Sequence, residues 1–151
     1  MDTHTAEQRH KNMQAVKCKD TKIEVLLRKE LWSRGIRYRK NAKDVFGKPD
    51  IAFKGKKVAV FCDSEFFHGK DWEILKPRLE KGKNPDYWIK KIERNRSRDF
   101  ETDKKLLFLG YTVIHFWGQD IKKHTDECIQ AIEEAIWDTT FSNDTIELTD
   151  E

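Results

Sequence analysis

The chain holds three Pro, seven Gly and three Cys in 151 residues, too few to punctuate it into modules or to staple it. Cys18, Cys62 and Cys128 are widely spaced with no CxxC pair, which argues against a disulfide framework or a zinc knuckle and fits a reducing compartment. No apolar run approaches the roughly 18 residues of a membrane span, and the opening MDTHTAEQRHKN lacks the apolar core of a signal peptide. A cytoplasmic protein without membrane contact is expected. No internal repeat and no Pro/Gly/Ser linker divides the sequence, so its length predicts one domain over residues 1–139, followed by an acidic, flexible tail over 140–151.

What the chain does have is charge and aromatic side chains. Charged residues make up 38% and hydrophobic ones 37%, yet five Trp and nine Phe are too many for a disordered chain. The net charge of +3 understates the basic character. The last twelve residues carry four acids and no Lys or Arg, so residues 1–139 set 30 basic side chains against 23 acidic ones, a net of +7. The bases cluster at Arg34, Arg37, Arg39 and Lys40, at Lys54, Lys56 and Lys57, and at Lys90, Lys91, Arg94, Arg96 and Arg98. Such clusters either form solvated faces or neutralise phosphates.

Periodicity gives the element order α, α, β, β, β, α, β, α. Capping-box spacing at Thr5 to Gln8 starts a short polar helix to about Val16. Asp20 or Thr21 caps an amphipathic helix with Ile23, Leu26, Leu27, Leu31 and Trp32 on one side, and Gly35 stops it. Ile36 to Lys40 alternates like an edge strand. Ile51-Ala52-Phe53 and Lys57 to Cys62 form a hairpin across Lys54-Gly55-Lys56. Residues 63–83 read as irregular. Asn84 as N-cap and Pro85 at the first helical position open a long helix ending at Gly110. Tyr111 to Trp117 reads as a buried strand, and Thr125 to Trp137 as an amphipathic helix covering the sheet.

The hairpin carries the chemistry. Asp50 enters its first strand and Asp63, Glu65 and His68 follow its second, so two neighbouring strands bring carboxylates to one end of a sheet. A hard cation such as Mg²⁺ needs one or two carboxylates on rigid elements, with water and substrate phosphate completing its shell. Asp50 and Asp63 suit that role. The bland alternatives are a turn-capping Asp50 and exposed loop acids. His68 near such a cluster either closes a loop or serves as general base. Glu24 reads first as the partner of Thr21 in a capping box and second as a site acid. Asp99 on the long helix is either a solvated charge or a site residue, and its position relative to the hairpin does not follow from spacing. Phe66 and Phe67 are core aromatics or wedges between base steps.

A helix, three strands, a helix and a further strand is the order of the restriction-endonuclease-like PD-(D/E)xK fold, an α/β three-layer arrangement with a central mixed sheet flanked by helices. Together with RxKNM at Arg9 to Met13, DTxIE at Asp20 to Glu24, GxPD at Gly47 to Asp50, the aromatic pair and histidine at Phe66 to His68, and NxxRD at Asn95 to Asp99, the chain resembles the very-short-patch repair (Vsr) endonucleases over Arg9 to Trp137. That resemblance implies a bacterial, Mg²⁺-dependent enzyme that nicks duplex DNA 5′ to the thymine of a T:G mismatch left by deamination of 5-methylcytosine. It places Asp50 as the metal-binding aspartate and His68 and Asp99 as the catalytic histidine and its support, with Asp63 and Glu24 as further catalytic candidates. Met13, Phe66 and Phe67 match intercalating side chains, the first within an N-terminal DNA-contacting segment (1–19) and the pair in the loop after the hairpin's second strand, and Lys11, Asn12, Lys70 and Arg96 are placed as further DNA contacts. Mismatch-repair proteins are expected partners, and the enzyme is expected to be a monomer. The chain departs from well-known members where Cys62 replaces a threonine and Asp63 a histidine, leaving Asp63 or the Cys62 backbone carbonyl as second metal ligand. Glu65, Gly69 to Trp72 and Gly118-Gln119 stand where those members hold zinc, so no structural zinc is expected. A restriction-type or nonspecific nuclease on the same fold and a DNA-binding module without chemistry are the competing readings.

Overall fold

A computed structural model describes the backbone of residues 21–149 and the side chains of residues 21–139. Lys11, Asn12, Met13, Cys18, the helix expected over Thr5 to Val16 and the DNA-contacting segment 1–19 lie outside the described residues. Thr21 caps the first described helix, α1 (Lys22–Ser33), accepting from the Glu24 N–H at 3.5 Å. Gly35, at φ +79°, turns the chain out of it while its N–H and that of Ile36 bond the carbonyls of Trp32 and Leu31.

Strands β1 (Arg39–Lys40), β2 (Ile51–Phe53), β3 (Val58–Asp63) and β4 (Thr112–Trp117) form one sheet in the order β1-β2-β3-β4. The first two pairings are antiparallel and β3–β4 is parallel. The sheet is therefore mixed, and β2 begins at the end where β3 finishes. The hairpin turn is one 3₁₀ turn over Lys54–Lys56, closed by Lys57 in the left-handed region.

Alternation sorts the strand side chains between two faces. Ile51, Phe53, Val58, Val60 and Cys62 pack with Leu27 and Leu31 of α1, Ile121 of α4 (Gly118–Lys123), and Cys128, Ile129 and Ile132 of α5 (Thr125–Thr149). Ala52, Ala59 and the half-buried Phe61 and Val113 face Leu106 of α3 (Pro85–Phe108). Helices thus cover both faces, giving the three-layer α/β architecture of the PD-(D/E)xK type.

Five local expectations change. Strand β1 is two residues rather than five, because Ile36 and Tyr38 turn toward the core while only Arg39 and Lys40 pair. Strand β4 is half exposed rather than buried, because it forms a sheet edge with a partner on one side only. Within 63–83 a helix forms, α2 (Trp72–Glu80), despite Pro77 inside it and with no buried residue; its support is packing on α3. Asn84 does precede Pro85, but in the left-handed region with no side-chain capping bond. Helix α5 continues twelve residues past Trp137, where its apolar periodicity ended.

Candidate active site

The fully buried Pro49 and the backbone bonds from Asn41 and Ala42 to the Asp50 and Pro49 carbonyls fix the entry to β2. Asp50 Oδ2 accepts the Cys62 N–H at 2.7 Å, which ties the start of β2 to the end of β3. Burial, partly offset by that bond, pushes the Asp50 carboxyl up to about 7, and the charges of Glu24 and Asp63 and a hydrogen bond to Glu24 push the same way. Glu24 is 3% exposed. Thr21 makes its half of the expected capping box by accepting the Glu24 N–H, and the Glu24 carboxyl is also hydrogen-bonded to Asp50, so both readings of this residue have a contact behind them.

Side chains at one strand end that crowd acids together, here with the buried Arg28 as a neighbouring cation, have the donor chemistry of a hard divalent cation. Among the described residues no group of three or more His, Cys, Asp or Glu is set to enclose a metal by itself. Mg²⁺ does not need one, since water and phosphate oxygens complete its shell. The Cys62 thiol is buried in the core, and burial together with Asp50 and Glu24 holds it well above the ordinary range, so its side chain stays a neutral packing group.

From Ser64 to Lys70 the chain makes one tight turn, with His68 N–H bonded to Ser64 O, Gly69 N–H to Phe66 O and Lys70 N–H to Glu65 O. Helix α3 holds this turn. Asn95 Nδ2 donates to Phe67 O at 3.0 Å, and one helical turn later Asp99 Oδ2 lies 2.6 Å from His68 Nδ1. The NxxRD spacing is thus a pair of contacts on one helix face. His68 Nε2 points toward Asp63 Oδ1 at 3.8 Å. Burial lowers the His68 pKa, but the Asp99 bond and the charges of Asp63 and Asp99 outweigh it and leave the imidazole more basic than usual.

A sequence profile described as DNA mismatch endonuclease Vsr matches residues 1–74. A type II nicking enzyme of Neisseria meningitidis serogroup C is 50% identical over 138 residues, spanning 91% of this chain and 92% of its own. A type II nicking enzyme of Haemophilus parainfluenzae is 46% identical over 139 residues, spanning 91% and 97%. The chain belongs to the Vsr family of DNA endonucleases. A more distant Vsr relative, the DNA mismatch endonuclease of Escherichia coli strain K12, is 29% identical over 131 residues, spanning 85% and 82%.

In this Vsr-family enzyme the aromatic pair beside His68 belongs to a larger cluster. Phe66 packs edge-on against Phe67 at 5.4 Å and Trp88 at 5.3 Å, and Tyr87 packs on Trp88 at 5.1 Å. The Lys91 ammonium lies 5.8 Å from the Phe67 and Trp88 rings. Phe66 is 38% and Tyr87 55% exposed, so the cluster is a surface, not a core. On the other side of His68 an open groove of about 560 Å³ is lined by Lys70, Trp72, Arg96 and Trp117 among others. Lys70 stands over the Trp117 ring and Arg96 over the Trp72 ring. Glu65 accepts the Gln119 N–H at 2.6 Å, joining the turn to the start of α4.

Asp50, Glu24, Asp63, His68 and Asp99 therefore converge, with Phe66, Phe67, Lys70 and Arg96 around them. Sequence reasoning missed Trp88, for which its place one turn into the helix after Pro85 gave no pointer. It also missed His115 and Asp103. His115 Nδ1 lies 2.6 Å from Asp63 Oδ2 and its Nε2 2.7 Å from Asp103 Oδ1. Burial lowers its pKa, but the two aspartates push it up to about 9. A histidine in a strand otherwise apolar was the one available signal.

Proposed function

We propose that this endonuclease uses Mg²⁺ to nick one strand of duplex DNA 5′ to the thymine of a T:G mismatch arising from 5-methylcytosine deamination. The observation that carries the reading is the juxtaposition of the Asp50 carboxyl, the His68–Asp99 pair and the exposed Phe66–Phe67–Trp88 cluster at one end of the sheet. The printed names of the relatives, nicking enzymes and a DNA mismatch endonuclease, support it.

Asp50 holds the cation, with Asp63 or the Cys62 carbonyl as second ligand and Glu24 supporting Asp50. Bound there, Mg²⁺ would supply charge for the scissile phosphate and acidify a water. His68 takes the proton of the attacking water at Nε2, while Asp99 receives the Nδ1 hydrogen bond and fixes the ring. Phe66, Phe67 and Trp88 unstack the step beside the mismatch, which costs less than at a paired step because T:G stacks poorly. Lys70 and Arg96 neutralise backbone phosphates in the groove beside His68, and Lys11, Asn12 and Met13 add contacts from the N-terminal segment.

The test is incubation with Mg²⁺ and two labelled duplexes that differ only in carrying T:G or T:A, with Asp50→Ala as control. Nicking confined to the T-containing strand of the T:G duplex and lost in the variant is expected. Equal cutting of both duplexes would replace mismatch repair with a restriction-type or general nuclease, and binding without cutting would leave a DNA-binding role.

A further inference from the structure

Helix α3 presents two aspartates one turn apart, and each meets a different histidine. Asp99 pairs with His68 from the β3–α2 turn, and Asp103 with His115 from β4. Between the two histidines lies Asp63, 7% exposed, with Oδ2 on His115 Nδ1 and Oδ1 toward His68 Nε2. The result is a continuous row, Asp99–His68–Asp63–His115–Asp103, whose two ends are anchored on one helix.

The parallel register makes this possible. Phe61 of β3 is the partner of His115 on β4, and their rings stack at 4.8 Å and 14°. That contact sets the plane of the imidazole. Each ring nitrogen then faces a carboxylate oxygen within hydrogen-bond distance, so each has an acceptor and the ring has one orientation that satisfies both. Asp63 ends β3 and is not held by its own backbone alone. With Oδ2 taken by His115, its carboxylate is rotationally fixed and Oδ1 is the oxygen turned toward His68.

We propose that His115 is a positioning residue of the nuclease site: stacked on Phe61 and anchored by Asp103, it locks the Asp63 carboxylate so that one oxygen serves the reaction beside His68. The proposal rests on the reading that Asp63 is part of that site. It joins β4 to chemistry otherwise carried by β2, β3 and α3, with the bond to Asp63 as the contact that matters for the rate. The alternative is a purely structural pin between α3 and β4.

Two near-isosteric variants separate these. His115→Asn keeps an amide N–H where Nδ1 stands and so retains the Asp63 bond but not the Asp103 bond. His115→Gln places its N–H at the Nε2 position and does the reverse. Single-turnover nicking of the T:G duplex is measured with Mg²⁺, duplex affinity with Ca²⁺, and the thermal midpoint in EDTA. The expected result is a His115→Gln rate reduced roughly 10- to 100-fold, the range for removing a group that orients a site ligand, and a His115→Asn rate within about 3-fold of wild type. Duplex affinity and midpoint should be alike for the two variants. Rates that fall equally in both and track the midpoint would make His115 a structural pin, and a wild-type rate in His115→Gln would remove it from the site altogether. Asp63→Asn is the control on the underlying reading. If it nicks at the wild-type rate, Asp63 itself is outside the chemistry; if it is inactive while His115→Gln is not, only the His115 proposal fails.

Discussion

Asp50 occupies a place where a carboxylate is poorly tolerated without a cation. It is pushed up to about 7 by burial and by Glu24 and Asp63, so in EDTA at pH 8 an ionised group sits among like charges. Asn at this position still accepts the Cys62 N–H. Asp50→Asn should therefore raise the thermal midpoint in EDTA by about 2–4 °C, corresponding to roughly 1 kcal/mol for a chain of this size. With Mg²⁺ present it should lower nicking at least about 10³-fold, the effect of losing several kcal/mol of metal-assisted stabilisation. Calorimetry paired with the nicking assay checks both. A midpoint several degrees below wild type would mark Asp50 as a structural residue instead. At this scale the sequence was informative where spacing along one hairpin decides, as with Asp50 and Asp63. It was silent where a residue is met from another element: nothing in Asn95 to Asp99 says which loop that helix face touches, and nothing in Tyr111 to Trp117 says that His115 lies beside Phe61.

Among the elements, α3 does the most to assemble the site, and at Gly69 the His68 turn leaves no room for a side chain against it. That residue is buried at φ +67°, and an added Cβ would come within 2.8 Å of Ile92 Cγ2 and Arg96 Cδ. Arg96 is exposed and can swing away, whereas Ile92 is fully buried and cannot. Gly69→Ala should cost about 1–3 kcal/mol from backbone strain and overpacking combined. It should also reduce nicking beyond what that loss explains at a temperature where the protein remains folded, because the displaced turn carries His68. Urea titration and the nicking rate at 20 °C measure the two effects. Unchanged nicking would show that the turn accommodates a side chain without moving His68. Long amphipathic runs made α1, α3 and the start of α5 legible, and the Lys54-Gly55-Lys56 turn made the hairpin so. Helix α2 was not, since it has no buried face and contains Pro77. Strand β4 was assigned correctly as a strand but to the wrong environment, because an apolar string does not reveal which strand ends up at the sheet edge.

Over the whole molecule, charge is unevenly distributed along the sequence: +7 up to residue 139 and four acids after it. DNA binding through phosphates releases counterions and weakens as salt rises, while a remote acidic segment acts only across distances comparable with the Debye length. Truncation after Thr139 should tighten binding to a paired duplex by roughly 3-fold at 50 mM salt, with the difference vanishing near 0.5 M. Fluorescence anisotropy across that salt range measures it. Equal affinity at every salt concentration would place the tail beyond electrostatic reach of the DNA.

The parallel pairing of β3 with β4 also bears on time. It brings together residues 52 positions apart, Asp63 and His115, and the chain between them must first complete the α2 and α3 crossover. Pairings of this kind carry a loop-closure cost before they gain contacts and tend to form slowly. Formation of the row Asp99–His68–Asp63–His115–Asp103 is therefore a late event. During refolding the β2–β3 hairpin, which pairs neighbours in the chain, is expected to form ahead of this row, so nicking activity should recover later than the hairpin itself.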